Sequence, residues 1–514
     1  MDFKSFSELR EFIRRYNSTS VLEIGAKKCW QKWEPKKYSE PLDWLHSNTE
    51  RNYAVRLMLL ASGGNPYRRG DISVEVFDSL INAYHNWDQH TISDKRILDK
   101  EAEALLSSIQ KWETEHENTA RNWSLKLSNV LNLEVIHTHV AGLFSQRLIA
   151  FQNAGFGYPV ARIHRTIKFI ELLDKHSDKK FSDDFVERTK LSKINYFKQI
   201  LGCLMVFGNS YNRKGFWDFS QFLDIDVEVQ KQGINTEHIK IFVQQNSELF
   251  SSEADNSFRN RINQTLNSVP DYYQPLFYNY FLEVPFIKLN SEKFCLPDPF
   301  SFSESCWNQI RGLVFEDSTR KRLEGLLSRS FEDYLENTLL PFIIPNSFHR
   351  IPEIKNSTSS KDKRADFLIE TLSSYILLEC KSSIMSADTS AYFHVDKLAD
   401  VWCRIHSAFE QIGSTVKALN LYDKPVIPLI LTFYDSIAAS TIFEEMVKQT
   451  DYCSRMGLNI PPIVYSLHEF EHWISDRSLN NWAESILSKQ NASYPIQRDN
   501  KGHNYGHLNN ISIL

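Results

Sequence analysis

No two of the seven cysteines form a Cys-x-x-Cys pair: Cys29, Cys203, Cys295, Cys306, Cys380, Cys403 and Cys453 are odd in number and widely spaced. That excludes a zinc ribbon or a disulfide framework and points to reduced thiols in a cytoplasmic protein. Long apolar runs are also missing. The longest, such as Leu57 to Ala61 and Leu204 to Phe207, fall far short of the ~20 residues a membrane helix needs. The opening MDFKSFSELREFIRR is charged and amphipathic and lacks the apolar core of a secretion signal. There is no G-x-x-x-x-G-K-[ST] loop, hence no ATPase engine by that signal, and no internal repeat. Nor is there a basic excess: 59 Lys and Arg face 64 Asp and Glu, a net charge of −5. Bulk charge therefore cannot coat nucleic acid, and any such contact must come from local patches. The expectation is a soluble, cytoplasmic protein with no membrane partner.

The 514 residues suggest two to four domains at roughly 100–200 residues each. Up to about Pro285 the pattern is mostly helical, with apolar residues near 3.6 spacing over Leu125 to Phe151 and Ile194 to Phe207. Polar breaks fall at Ser62 to Asp71 and Gly208 to Gly215. A cluster of Lys27, Lys28, Trp30, Lys32, Trp33, Lys36 and Lys37 could offer a nucleic-acid surface; tryptophans packed beneath a solvated face are the plainer reading. Residues Pro285 to Pro299 read as two short strands around Asn290-Ser291 and a proline-rich exit.

Beyond that point the grammar changes. A helix with apolar positions Leu323, Leu327, Phe331, Tyr334, Leu335 and Leu339 runs into Pro341, which is expected to end it. An apolar run at Phe342 to Ile344, a polar loop at Asn356 to Lys363 and strand-like runs at Ala365 to Glu370 and Tyr375 to Cys380 follow. A long helix carries Val395, Leu398, Trp402, Ile405, Phe409, Ile412, Val416 and Leu419 on one stripe. Buried-strand runs at Val426 to Phe433 and Pro462 to Tyr465, each followed by a helical pattern, close the domain. The order α-β-β-β-α-β-α-β-α fits a three-layer α/β arrangement with a mixed sheet. The expected division is a mainly helical region over 1–285, open to splitting into two subdomains; a connecting hairpin and linker over 286–315; the α/β domain over 316–488; and a polar tail over 489–514.

Chemistry concentrates in RADFLIETLSSYILLECKSS. Strand side chains alternate faces, so Tyr375, Leu377, Glu379 and Lys381 share one. An acid and a lysine ending an apolar strand are costly unless paired or bound to a metal. Taking Leu372-Ser373 as a two-residue turn places Asp366 directly across from Glu379, with Cβ atoms about 4.5–5.5 Å apart. Two carboxylates that close do not both stay ionised without a cation between them. Magnesium suits, since it is often held by one or two carboxylates plus waters and substrate phosphate. The alternative is a salt-bridged strand end, with Glu379 paired to Lys381 or Arg364.

Asp366, twelve intervening residues, then Glu379-Cys380-Lys381 resembles the PD-(D/E)xK nuclease superfamily, the restriction-endonuclease-like fold. Ala365 stands where the pattern usually has proline. The resemblance covers about Leu323 to Trp482. It implies that Asp366 and Glu379 hold Mg2+ (or Mn2+), and that Lys381 orients the attacking water and stabilises charge on the phosphate. It also implies a helix acid completing the shell: Glu332, which follows the aromatic Phe331, with Glu336 one turn on as the second candidate. Gln411 resembles a glutamine on the following helix in some branches. Lys363, Arg364 and Arg350, with His349, Lys355 and Lys361 nearby, are candidates for nucleic-acid contacts.

The implied activity is metal-dependent phosphodiester hydrolysis, with DNA the favoured substrate and endonucleolytic cutting the favoured mode, in the manner of bacterial restriction or anti-phage effectors. Cutting both strands needs two sites or two visits, which suggests a homodimer or higher homo-oligomer. The other reading is a catalytically inactive nuclease fold serving as a nucleic-acid-binding or assembly module. His468-Glu469-Phe470-Glu471-His472 fits the zinc-protease pattern H-E-x-x-H. Ser466 and Glu469 there read as a capping box, however, and no third ligand follows.

Overall fold

The computed structural model describes residues 3–33, 41–62, 70–121, 123–131, 136, 158–177, 180–209, 215–220, 234–250, 257–268, 274–275, 277, 279–303, 305, 320–344, 347–351, 364–382, 398–433, 452–458, 460–467, 470–471 and 479–488. Labelled in chain order, the helices used below are α1 (Ser18–Trp33), α2 (Pro41–Ala61), α3 (Lys95–Glu115), α4 (Lys193–Asn209), α5 (Arg320–Tyr334), α6 (Leu340–Ile343), α7 (Leu398–Leu419) and α8 (Leu479–Ser488). The strands are β1 (Phe216–Asp218), β2 (Ser247–Leu249), β3 (Phe286–Lys288), β4 (Lys293–Cys295), β5 (Phe348–Arg350), β6 (Phe367–Glu370), β7 (Tyr375–Lys381), β8 (Val426–Thr432) and β9 (Ile463–Ser466). The fold is mixed α/β, with one four-stranded and one five-stranded sheet among the described residues. No described helix is long and apolar enough to cross a membrane.

The chain forms two units that do not follow one boundary in sequence. The first contains Met1–Thr91 and Phe151–Arg320, the second Ile92–Ala150 and Lys321–Asn510. The grouping differs from the expected division at 285 in that the described residues over 92–131 cluster with the α/β part. In the first unit the expected helices at α1, α2 and α4 are joined by a sheet ordered β1-β4-β3-β2. The β3–β4 hairpin is thus no mere connector, because it pairs on both sides. Arg51 and Asp298, both fully buried, form an ion pair at 2.5 Å. The Lys–Trp cluster takes its plainer reading where it is described. Trp30 is buried and donates to the Leu296 carbonyl at 2.8 Å, Lys28 pairs with Asp78, and Lys32 pairs with Glu50. Lys36 and Lys37 lie outside the described residues.

The second unit holds the mixed sheet β5-β6-β7-β8-β9, antiparallel across β5, β6 and β7 and parallel across β7, β8 and β9. Every residue of β8 is buried, as an uninterrupted apolar run in a parallel ladder requires. Helix α7 packs on β7 and β8 with one face and on α3 with another. Its predicted stripe is buried from Leu398 to Val416, and so are His406, Glu410 and Thr415 on the additional face. Asn420, in the left-handed region at φ 54, ends the helix.

Two local expectations need correcting. Pro341 does not end its helix. The chain widens into a π-turn over Leu335–Leu339, closed by the Leu340 N–H to the Leu335 carbonyl, and regains α form through Ile343. Proline lacks the N–H for an i−4 bond and crowds that carbonyl, and a widened turn just before it relieves both. Consequently most of the apolar run Phe342 to Ile344 is helical, and the first strand is β5.

Candidate active site

The β6–β7 hairpin turns at Leu372-Ser373, closed by Thr371 N–H to the Ser374 carbonyl at 2.9 Å. Its ladder runs from Glu370↔Tyr375 to Phe367↔Leu378, the register that the two-residue turn predicts. At the site the pairing slips by one residue. Asp366 donates its N–H to the Leu378 carbonyl at 3.0 Å, and its Oδ2 accepts from the Cys380 N–H at 2.7 Å. Asp366 therefore straddles Glu379 instead of lying directly across from it. The carboxylate satisfies an amide that the ladder leaves without a carbonyl.

The rim of the sheet gathers the predicted side chains from β5, β7, α5 with its π-turn, α7 and the residue before β6. Glu379 Oε1 accepts from Lys381 Nζ at 2.5 Å. The same ammonium donates to Gln411 Oε1 on α7 at 2.8 Å. Glu332 on α5 and Glu336 on the π-turn both hold Arg350 at the end of β5, at 2.5 and 3.0 Å. Beside them the Ile351 N–H donates to the Asp366 carbonyl at 2.9 Å. The structure thus brings together Asp366, Glu379, Lys381, Gln411, Glu332, Glu336 and Arg350. Arg364 is half-buried, with a buried Nε that finds no partner among the described residues. Lys363 lies outside the described residues, as do Lys355, Lys361 and the pair His468 and His472.

The Glu379–Lys381 pair is the one that the salt-bridged reading of this strand end expects, and the electrostatics around it add further features. Glu379 is 3% exposed. Burial pushes its carboxyl up to about 8; Lys381 opposes that shift, and the charges of Asp366 and Glu332 add to it. Asp366 is also raised, chiefly by burial, against the pull of the Cys380 amide and of Lys381 and Arg350. The Lys381 pair satisfies only half of Glu379. Its Oε2 is buried and has no hydrogen-bond partner among the described residues. Four carboxylates (Glu332, Glu336, Asp366, Glu379) share the rim with two cations (Lys381, Arg350), an excess of two negative charges if all ionise.

Among the described residues no group of three or more His, Cys, Asp or Glu side chains is arranged to hold a metal ion. A dedicated cage is not what magnesium requires, since one or two carboxylates with waters and phosphate suffice. The orphaned Oε2 and the raised Glu379 beside a second buried acid fit a divalent cation of that kind.

Sequence reasoning missed Thr415. Its hydroxyl donates to the Gln411 carbonyl and accepts from the Ala365 N–H, each at 2.8 Å. This joins α7 to the residue before Asp366. It also missed the docking of residues 123–125 on α7, where Glu410 Oε1 accepts from the Ser124 N–H at 2.9 Å and from its hydroxyl at 2.7 Å. A carboxylate at 410 beside an apolar helical stripe was the available signal. Compared with family models, with curated proteins and with solved structures, the chain matches none.

Proposed function

We propose that the second unit is a metal-dependent nuclease of the PD-(D/E)xK kind, its sheet layered between helices, hydrolysing phosphodiester bonds with DNA as the favoured substrate. The observation that carries the reading is Glu379: a fully buried carboxylate with one oxygen on Lys381 and the other unpartnered, beside a second acid whose ionisation burial also disfavours.

Asp366 and Glu379 would hold Mg2+ or Mn2+, with Glu332 as the helix acid. The bound cation supplies polarisation of the phosphoryl oxygen and a lower pKa for a coordinated water. Around neutrality Glu379 carries a proton. Oε1 is taken by Lys381, so Oε2 is the atom where a cation would replace that proton. Lys381 then offers positive charge where negative charge grows on the phosphate, and Gln411 holds its ammonium in place. The resemblance supplies the roles, and the convergence of these side chains supports them.

Supercoiled plasmid, single-stranded DNA and RNA, each incubated with the purified chain and Mg2+ or Mn2+, test the reading. Cleavage by the wild type, lost in Asp366→Ala and Lys381→Ala, supports it. A wild type as inert as both variants on every substrate and metal overturns it. The second reading is a catalytically inactive module that binds nucleic acid or supports assembly. It is favoured by one observation, that Lys381 and Arg350 are both engaged by acids; it predicts binding without cleavage.

A further inference from the structure

A substrate phosphate approaching this rim meets acids, because both cations are already committed. Lys381 is held by Glu379 and Gln411. Arg350 spans Glu332 and Glu336, one on each arm of its guanidinium. The two engagements differ in depth. Glu379 is nearly inaccessible, whereas the Arg350 side chain is 50% exposed. Arg350 ends β5 alongside the start of β6, and its charge is felt at Asp366 just as that of Glu332 is felt at Glu379. The two acids stand where α5 opens into the π-turn that accommodates Pro341.

We propose that Arg350 is an exchangeable latch coupling cation binding to phosphate binding, an inference that rests on the nuclease reading. Before a cation binds, Arg350 neutralises the helix acids. A divalent cation held by Glu332 cancels one of the two charges on Arg350, leaving the longer contact to Glu336 as its only hold on the helix, and the guanidinium then turns to a phosphate oxygen of the nucleic acid. The planar fork of arginine fits carboxylate and phosphate equally well. A half-exposed ion pair is only weakly favoured over its hydrated partners, so the exchange is cheap. Linkage makes the effect reciprocal: the factor by which the cation tightens nucleic-acid binding is the factor by which nucleic acid tightens cation binding.

The test uses the full chain, Ca2+ as an oxygen-seeking dication, and a short labelled DNA duplex checked to be intact afterwards. Duplex affinity is read by anisotropy with and without Ca2+, and Ca2+ affinity by calorimetry. In the wild type Ca2+ is expected to tighten duplex binding by about tenfold. In Arg350→Ala, Ca2+ alone binds more tightly because two acids are released, and the gain in duplex affinity falls several-fold, to what the cation's own contact with the phosphate supplies. Arg350→Lys, which keeps the charge without the two-armed fork, retains only part of the gain, and Ca2+ alone binds it more tightly than the wild type. A gain undiminished in Arg350→Ala, with both ligands still binding, overturns the latch and leaves the nuclease reading intact. Ca2+ binding that is absent, or unaffected by Asp366→Asn, overturns both.

Discussion

Lys381 Nζ lies 2.8 Å from Gln411 Oε1, so a strand end and a helix middle 30 residues apart in sequence hold one ammonium between them. Glu379 Oε1 takes it at 2.5 Å, and Gln411 gives it a second acceptor from the facing helix. On the proposed nuclease reading, Gln411→Leu should lower kcat by about tenfold with KM nearly unchanged, since it removes the aim and keeps the charge. Lys381→Ala should cost about 100-fold or more, comparable to losing a donor aimed at transition-state charge. Steady-state cleavage with Mg2+ measures both. An unaltered kcat in Gln411→Leu would remove the glutamine from the machinery.

Glu379 predicts an unusual direction of pH dependence. The unfolded carboxyl releases its proton near 4.5, while the folded one keeps it up to about 8. Between those values the native state binds the extra proton, so stability is greatest on the acid side, declines as pH rises through the window, and levels off above 8. Glu379→Gln resembles the protonated form and escapes the decline. At pH 8.5 it should be more stable than the wild type by roughly 2–4 kcal/mol, and close to it at pH 4.5. Adding Mg2+ at pH 8.5 should raise the wild-type thermal midpoint and leave that of Glu379→Gln in place. Equal midpoints for the two proteins at pH 8.5 without metal would show Glu379 to be an ordinary carboxylate.

The hairpin and its chemistry were legible because they are local. A two-residue turn and a period of two settle which residues meet from Glu370 to Leu378, and an acid and a lysine on one strand face betray an unusual strand end. The stripe of α7 was legible for the same reason, a steady 3.6 period. Long-range docking was not. Ser124 and Glu410 are 286 residues apart, and nothing in the local pattern of residues 92–150 assigns them to the α/β unit. The slip at Asp366 also escaped, because it depends on a side chain replacing a backbone acceptor. Pro341 misled because its usual consequence, a helix end, was averted by a π-turn that no single residue announces.

His406 gives the opposite pH signature to Glu379. It is fully buried, and a carbonyl can only accept, so Nε2–H donates to Leu125 O at 2.9 Å. Trp123 packs edge-on against its ring. Burial lowers its pKa, opposed by Glu410, the Leu125 bond and Glu113. The unfolded histidine gains a proton below about 6.5 that the folded one resists. The docking of this segment is therefore at full strength above that value and weakens as pH falls, by up to about 1.4 kcal/mol per pH unit. Hydrogen exchange of peptides over 123–131, corrected for intrinsic rate, should speed up between pH 7.5 and 5.5. His406→Gln keeps an amide donor for Leu125 and should flatten the response; an equally steep response in that variant would assign it to another group.

At Gly413 the backbone of α7 lies close against Met456. A methyl group there would sit 2.6 Å from Met456 Sδ and 2.8 Å from its Cβ. The second contact is to the root of the side chain, so a change of rotamer cannot relieve it. Alanine is the better helix former by about 1 kcal/mol, but overpacking costs about 1–3 kcal/mol, and the net effect of Gly413→Ala should be destabilising. Because Gln411 and Thr415 flank the position, any outward shift of α7 should also lower kcat through the aim of Lys381. Met456→Gly removes the Cβ together with the Sδ and so opens the space that the new methyl group needs. The double variant should then recover most of the lost stability and activity, giving a favourable coupling of about 1 kcal/mol or more in a double-mutant cycle. Simple additivity of the two substitutions would mean that Gly413 owes its place to something other than the approach of Met456.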